Sequence, residues 1–214
     1  MTAPAGLVTF LFTDIEGSSR LWEQEPERMR TALARHDALV RGAVQRHRGT
    51  VVKMLGDGVH AAFDDPLDAI AAILELQLAL AEPPPDGGIA LRVRSGLNCG
   101  AVERRDGDFF GSPVNRAARI MSSAHGGQVL LSQSVVTLVA DRLPKDVTLR
   151  DLGLVRLRDL TSPERLYQLQ HPNLRQEFPA LRSLEATPNN LAQQVTSFVG
   201  RERELAEVTR LLGT

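Results

Sequence analysis

Two short acidic turns carry residues that could bind a metal ion. The strings FTDIEGS (residues 12–18) and KMLGDG (residues 53–58) each end an apolar run typical of a β-strand, which places Asp14 and Asp57 at strand ends. Mg²⁺ prefers about one or two protein carboxylates together with phosphate oxygens, so a sparse pair of aspartates is sufficient. The two turns therefore predict a magnesium site that faces a nucleoside triphosphate.

A second pair of polar residues has helical spacing. The string DFFGSPVNRAAR (residues 108–119) contains Asn115 and Arg119, which lie four positions apart. Residues at this spacing project from one face of a helix. Such a face can contact a ribose and a phosphate together.

An alternating order of strands and helices must position these residues. Hydrophobic periodicity and turn residues predict strands at 8–13, 50–54, 59–63, 89–97 and 128–131, with a last pair flanking 161–163. The same signals predict helices at 18–22, 26–47, 66–81 and 112–122, and a polar and aromatic loop at 105–111. The order strand, helix, strand, strand, helix, strand favours an α+β fold, a ferredoxin-like mixed sheet with flanking helices.

Composition excludes several classes of function. The 214 residues include 25 basic and 26 acidic side chains, so the net charge of −1 gives no electrostatic footprint for nucleic acid. No apolar run is long enough to span a bilayer, and no charged-then-apolar leader is recognised. Cys99, the single cysteine, excludes an intrachain disulfide and is predicted to be a core residue. We expect a cytoplasmic protein that binds neither membrane nor nucleic acid.

The composition also changes along the chain. Residues beyond 170 become rich in Pro, Asn, Gln and scattered charge, which predicts a domain at 1–170 and a linker at 171–195. The string FVGRERE (residues 198–204) then begins an amphipathic stretch too short to bury its own apolar face. We therefore expect residues 196–214 to be the start of a truncated second domain.

Four strings together resemble the bacterial class III nucleotidyl cyclase domain. FTDIEGS, KMLGDG, RSGLNCG (residues 94–100) and DFFGSPVNRAAR follow the order of that family, and the resemblance covers roughly residues 8–169. It implies the class III cyclase fold and conversion of ATP or GTP to the 3′,5′-cyclic monophosphate and pyrophosphate. The FVGRERE string resembles the join in actinobacterial regulators where a cyclase domain precedes a P-loop ATPase and often a helix-turn-helix.

The resemblance assigns the acidic turns to two Mg²⁺ or Mn²⁺ ions. It implies that Asp14, Asp57 and the carbonyl of Ile15 bind the metals, which would activate the ribose 3′ hydroxyl and neutralise the leaving pyrophosphate. The alternative for Asp14 is a helix cap or turn acid, and the alternative for Asp57 is a hairpin-turn residue.

The resemblance also implies a phosphate-binding turn. The backbone amides of residues 16–19, including Ser18, would bind the β- and γ-phosphates at a helix N-terminus, and Gly17 would allow their close approach. Arg94 aligns with a family arginine that contacts the triphosphate.

The helical pair receives catalytic roles by the same resemblance. Asn115 would orient the ribose, and Arg119 would place its guanidinium on the α-phosphate, where charge builds during transfer. The alternative for Arg119 is a surface ion pair.

Base selection is expected to depend on Lys53 and Asp108. Adenine presents an acceptor at N1 and a donor at its 6-amino group, which an ammonium and a carboxylate can satisfy, whereas guanine reverses both polarities. The pair therefore favours ATP. A strand-edge lysine and a loop aspartate are the alternatives for these two residues.

These inferences combine into a predicted adenylate cyclase. In the family that the sequence resembles, the metal pair and the base and ribose residues of one site come from different protomers, so we expect a head-to-tail homodimer with two equivalent composite sites. A cyclase that uses GTP or another nucleotide is one alternative. The other is a catalytically weak regulatory module that binds nucleotide.

Overall fold

The computed structural model describes residues 6–84, 87–105 and 108–183, with the backbone alone at positions 104, 105 and 108. The described part of the chain contains nine strands: β1 Leu7–Ile15, β2 Thr50–Met54, β3 Gly58–Phe63, β4 Val93–Ala101, β5 Glu103–Arg105, β6 Asp108–Phe110, β7 Val129–Ser132, β8 Thr148–Val155 and β9 Glu164–Gln170. Five α-helices accompany them: α1 Ser18–Gln24, α2 Pro26–Arg46, α3 Pro66–Ala81, α4 Ser112–Ser123 and α5 Gln133–Val139.

Seven of the strands form one sheet in the order β2-β3-β1-β4-β7-β9-β8. The pairs within β2-β3-β1-β4 are antiparallel, β4 and β7 run parallel, and β7, β9 and β8 are again antiparallel. The first four strands with α2 and α3 give the βαββαβ order of a ferredoxin-like unit, to which the later elements add. The predicted fold class, a mixed α+β sheet with flanking helices, is confirmed.

Strand β1 alternates between the two faces of the sheet, as the period of a strand requires. Leu11 and Ile15 pack in the larger apolar cluster that contains residues of α2 and α3. Phe10 and Phe12 pack in a second cluster that contains Ala117 of α4. Helices therefore cover both faces of β1, the strand that ends in the first acidic turn.

Helix α4 lies close to β4 because β4 has a glycine at the crossing point. A Cβ built on Gly96 would lie closer than 3.0 Å to the Met121 nitrogen and to the Ala117 carbonyl oxygen. Both neighbours are backbone atoms, which cannot move aside as the end of a side chain can. The absence of a side chain at Gly96 thus sets how near α4 approaches the sheet.

Three elements differ from the sequence prediction. Within the predicted loop 105–111, residues 105 and 108–110 belong to the two short strands β5 and β6, which pair with each other. Helix α5 was not predicted; at seven residues it is shorter than the windows in which helical periodicity is recognised. Strand β4 begins at Val93 rather than at 89, although Leu91 before it is buried. Apolar residues predict which positions are buried, but they do not predict where hydrogen bonding to a neighbouring strand begins.

The segment after β9 returns to the body of the domain as far as it is described. Leu181 packs on the cluster formed by α4, β7 and β9, and the Phe178 ring stacks on His125 at a centroid distance of 6.5 Å. The rest of the predicted linker and the predicted second domain lie outside the described residues. Among the described helices, none is both long and apolar enough to cross a membrane.

Candidate active site

The two acidic turns lie side by side at one end of the sheet. Asp14 of β1 pairs with Gly58, the first residue of β3, and Asp57 directly precedes that glycine. The Ile15 amide donates a hydrogen bond to the Asp57 carbonyl at 3.2 Å. A Cβ on Gly58 would lie closer than 3.0 Å to the Thr13 carbonyl oxygen, so glycine is needed for the turns to approach.

Asp14 is paired with Arg94 of the adjacent strand β4. The Arg94 Nε and Nη2 atoms lie 2.7 and 2.6 Å from Asp14 Oδ2, and each side chain is 22% exposed. Burial raises the pKa of Asp14 above its ordinary value; Arg94 lowers the pKa in part, and the charge of Asp57 raises it further. Asp14 is therefore a desolvated carboxylate next to a second carboxylate, an environment that a cation would stabilise.

The donor set fits a hard divalent cation. Asp14, Asp57 and the Ile15 carbonyl offer oxygen atoms alone, and phosphate oxygens can complete an octahedron around Mg²⁺ or Mn²⁺. No group of three or more His, Cys, Asp and Glu side chains suited to a metal occurs within 6–84, 87–105 or 108–183. A site of two carboxylates that needs substrate phosphates matches magnesium better than zinc.

The turn that is predicted to bind phosphate follows directly after Ile15. Gly17 has a left-handed φ of 72° and precedes the first residue of α1, Ser18. The Glu16 amide donates to the Arg92 carbonyl at 2.9 Å, so it is already engaged, and the amides of residues 17–19 are the ones left for phosphate. This turn supplies backbone donors next to the two carboxylates.

The Glu16 carboxylate connects this turn to two other parts of the chain. It forms an ion pair with Arg182 and accepts a hydrogen bond from the Gly126 amide. Burial raises the pKa of Glu16, but the hydrogen bond from Gly126, the charge and hydrogen bond of Arg182 and the charge of His125 together lower it overall. Glu16 is therefore well suited to remain ionised.

Asn115 and Arg119 lie on the outer side of α4. Ala117 and Ile120 of the same helix are fully buried against the sheet, and Asn115 is exposed. Arg119 forms an ion pair at 2.8 Å with Asp159, a residue with a left-handed φ of 59°. The surface ion pair that was the alternative for Arg119 is thus present, on the face that also carries Asn115.

The start of α4, where Asn115 lies, is separated from the acidic turns within one chain. Asn98 of β4 donates a hydrogen bond to the Pro113 carbonyl at 2.9 Å, which places the start of α4 beside Asn98. Arg94, the partner of Asp14, lies four residues earlier on the same strand, about 13 Å away at the usual rise of a strand. The helical pair also faces away from the sheet, so Asn115 does not contact the acidic turns of its own chain.

The structure describes the side chain of one of the two residues that are predicted to select the base. Lys53 on β2 pairs with His60 of β3, and its side chain is exposed. His60 in turn stacks on Phe12 with ring centroids 4.4 Å apart. The side chain of Asp108 lies outside the described residues, although its backbone begins β6. The structure therefore positions one of the two residues.

The sequence prediction gave no role to the side chains of three residues in this region. Asp159 contacts Arg119, and Glu16 and Arg182 contact each other. Glu16 was considered only for its amide, and Arg182 falls in a segment predicted to be a linker. Their charges were visible in the sequence, but no spacing rule brings positions 16 and 182 together.

The chain is similar to a known family over most of its length. A family model described as the Adenylate and Guanylate cyclase catalytic domain matches residues 2–171. An uncharacterized protein of Mycobacterium tuberculosis is 42% identical over 206 residues, which is 95% of this chain and 70% of that protein.

Solved structures show the same similarity. Adenylate cyclases from Trypanosoma brucei, determined in their monomeric state, superpose with a TM-score of 0.77 at 30% identity over 85% of this chain and 95% of theirs. The guanylate cyclase domain of a protein from Catenaria anguillulae, in complex with GTP, superposes with a TM-score of 0.68 at 18% identity. That match covers 79% of this chain and 98% of the other, and at this identity it shows a shared fold alone.

Proposed function

The chain belongs to the adenylate and guanylate cyclase catalytic domain family, and from this premise we propose that it is an adenylate cyclase that makes 3′,5′-cyclic AMP and pyrophosphate. The observation that carries the proposal is the convergence of Asp14, Asp57 and Arg94 at one end of the sheet. This arrangement pairs two carboxylates with a cation next to a turn that offers backbone amides.

In the proposed reaction the ribose 3′ oxygen attacks the α-phosphorus as the bond to the pyrophosphate oxygen breaks. The proton of the 3′ hydroxyl passes to solvent or to phosphate, so no side chain is needed as a general base. Two Mg²⁺ or Mn²⁺ ions on Asp14, Asp57 and the Ile15 carbonyl would supply Lewis acidity at the attacking and leaving oxygens. Gly17 and Ser18 would bind the terminal phosphates through their amides.

The remaining residues would complete the site from a second copy of the chain. Asn115 and Arg119 lie on the face of α4 opposite to Ala117 and Ile120, which pack against the sheet, and this orientation supports a composite site at a dimer interface. In a head-to-tail homodimer of twofold symmetry each protomer would offer its acidic turns to one site and its α4 face to the other. Asn115 would orient the ribose and Arg119 would stabilise charge on the α-phosphate.

The preference for ATP follows from Lys53 and Asp108. An ammonium donates to adenine N1 and a carboxylate accepts from the 6-amino group, whereas with guanine both partners would be mismatched. The trypanosomal structures are described as adenylate cyclases, which agrees with this choice. The same proposal includes the use of ATP, the binding of two metal ions and a cytoplasmic location. It also includes an origin of this chain in a longer regulator that carries an ATPase.

One assay with a matched control tests the proposal. Purified protein is incubated with Mn²⁺ and each of the four nucleoside triphosphates, and the products are separated by chromatography; cyclic AMP is the expected main product. Asp57→Asn should abolish turnover while the melting temperature stays close to that of the wild type. Asp64→Asn, an exposed acid at the other end of β3, should leave turnover unchanged. Asp57→Asn protein with normal cyclic AMP production would refute the metal assignment.

A second candidate function is favoured by the ion pairs of the two arginines. Arg94 is paired with Asp14 and Arg119 with Asp159, so both cations that would contact the nucleotide are engaged by carboxylates. This favours a regulatory module that binds nucleotide with little turnover. Measurable nucleotide binding together with no detectable cyclic product in the Mn²⁺ assay would support this candidate over the enzyme.

A further inference from the structure

The phosphate-binding turn of the proposed site contains Glu16, a side chain that takes no part in the proposed reaction steps. Glu16 lies between Ile15, whose carbonyl is a proposed metal ligand, and Gly17 of the phosphate-binding turn. Its amide is bonded to the Arg92 carbonyl and its carboxylate to the Gly126 amide. Both ends of Glu16 are therefore attached to neighbouring parts of the domain.

The surroundings of the Glu16 carboxylate are close-packed. A Cβ on Gly126 would lie 2.6 Å from Glu16 Oε2 and 2.7 Å from the Arg92 Cβ, so glycine is needed where the carboxylate approaches the loop between α4 and β7. The Glu16 side chain is 27% exposed, which leaves one side open to solvent. Arg182 occupies that side with its guanidinium.

Arg182 reaches Glu16 from a segment that docks on the domain at several points. We call residues 174–183 the strap. The Arg182 amide donates to the Ser123 carbonyl at the end of α4 at 3.0 Å, and the His125 ring nitrogen Nε2 lies 2.9 Å from the Ala180 carbonyl. Leu181 packs in the apolar cluster under α4. The strap therefore contacts the end of the helix that carries Arg119 as well as the phosphate-binding turn.

We propose that Glu16 and Arg182 are positioning residues for the cyclase reaction: their ion pair fixes the metal- and phosphate-binding turn, so that docking of the strap on the domain controls nucleotide affinity. An exposed ion pair contributes little to global stability, so its effect should be local to the turn that it holds. This inference rests on the proposed function.

The test compares two arginines of the same strap in the full chain. Arg182→Ala removes the partner of Glu16. Arg175→Ala is the matched control, because the Arg175 guanidinium lies over the Phe178 ring at 4.7 Å and its Nε bonds to the Glu177 carbonyl. We expect Arg182→Ala to raise the KM for ATP about threefold to tenfold with a smaller change in kcat, and Arg175→Ala to change neither. Arg182→Lys should restore most of the lost affinity.

A second readout does not depend on activity. Amide hydrogen exchange of the peptide that covers residues 14–21, measured without nucleotide, should be faster in Arg182→Ala and in Glu16→Gln than in the wild type and in Arg175→Ala. The double variant, Glu16→Gln with Arg182→Ala, should exchange no faster than either single variant, because each substitution removes the same interaction. Wild-type protein without cyclase activity would refute the proposed function, while this readout would still test the ion pair. Equal exchange and equal KM in the two arginine variants would overturn the inference.

Discussion

Arg94 of β4 donates a hydrogen bond from its Nε to Asp14 of β1 at 2.7 Å, directly across the antiparallel pairing of the two strands. The same arginine is a proposed contact of the triphosphate. Its guanidinium therefore neutralises the carboxylate that is proposed to bind metal. Arg94 cannot bind Asp14 and the triphosphate at full strength at the same time. Metal binding and nucleotide binding are therefore linked at this end of the sheet.

Replacement of Arg94 should change the two affinities in opposite directions. In Arg94→Ala, Asp14 is released from its ion pair, so binding of Mn²⁺ without nucleotide should tighten by about tenfold, the equivalent of one charge-assisted hydrogen bond. The KM for ATP should rise, because a triphosphate contact is lost. Electron paramagnetic resonance of free Mn²⁺ measures the first quantity and initial rates measure the second.

The neighbouring Arg92 offers the control for this pair of measurements. Its side chain is exposed, and its backbone carbonyl, which alanine retains, accepts the hydrogen bond from the Glu16 amide. Arg92→Ala should leave both affinities as in the wild type. Weaker Mn²⁺ binding by Arg94→Ala would show that the arginine supports the metal site and does not compete with it.

A mixture of two inactive variants should recover activity if the sites are composite. Asp14→Ala removes a metal ligand, and Arg119→Ala removes the proposed contact to the α-phosphate on the outer face of α4. In a heterodimer one site carries both defects and the other carries none. A mixture of equal amounts with random pairing should therefore show about a quarter of wild-type activity. Each variant mixed with itself is the control, and no recovery after subunit exchange would contradict a composite site.

Two glycines are expected to be intolerant of a methyl group. At Gly58 a Cβ would meet the Thr13 carbonyl oxygen, and at Gly96 it would meet backbone atoms of α4. Alanine at either position should lower the free energy of unfolding by about 1–3 kcal/mol, the usual cost of overpacking. Gly6→Ala is the control, because nothing lies within 4 Å of a Cβ at that position. Urea denaturation measures all three variants, and a stability loss at Gly6 equal to that at Gly96 would contradict the steric explanation.

Most of the fold was predictable because local signals and the tertiary structure agree. Prolines begin α2 and α3 at the predicted residues, and β2 matches its predicted bounds. The acidic turns were predictable for the same reason, since each follows an apolar strand. Short elements such as α5 were not, because a seven-residue helix depends on packing and gives too little periodicity to recognise.

The contacts between charged residues of the site were not predictable from sequence. The pairing of Arg94 with Asp14 needs the register of β1 against β4, and the pairing of Arg182 with Glu16 joins residues 166 positions apart. Asp159, which pairs with Arg119, is itself a loop residue in a left-handed conformation. Such contacts arise from tertiary structure, whereas the types of residue that bind metal and phosphate are visible in the sequence itself.

Base preference should follow the polarity of two side chains. Lys53→Glu places an acceptor opposite the N1 proton of guanine, and Asp108→Ser offers a donor to its O6. The double variant should lose most activity with ATP and gain relative activity with GTP, because unpaired polar groups penalise the wrong base. Ratios of kcat/KM for the two nucleotides measure the change. The single variants are controls, and an unchanged ratio in the double variant would remove Lys53 and Asp108 from base selection.

Asp65 should make a pH-dependent contribution to stability. It caps α3 by accepting a hydrogen bond from the Leu67 amide at 2.9 Å, and Arg142 lies 2.9 Å from its other oxygen. The Leu67 hydrogen bond and the Arg142 side chain lower the pKa of Asp65 despite a small opposing effect of burial. Because the pKa is lower in the folded than in the unfolded protein, the stabilisation is complete above the ordinary pKa of an aspartate. It is lost as the pH falls through the folded-state pKa.

Asp65→Ala should therefore lower the free energy of unfolding by about 1 kcal/mol at neutral pH, the usual loss for an N-cap. The difference from the wild type should shrink as the pH is lowered below the ordinary pKa of an aspartate and towards the lower folded-state pKa of Asp65. Asp65→Asn retains a capping oxygen and loses the charge, so its defect should be smaller and should report mainly the pairing with Arg142. Urea denaturation of the three proteins across this pH range measures these differences. A gap between the wild type and Asp65→Ala that stays constant down to pH 3 would show that the charge of Asp65 contributes nothing and that the loss comes from packing alone.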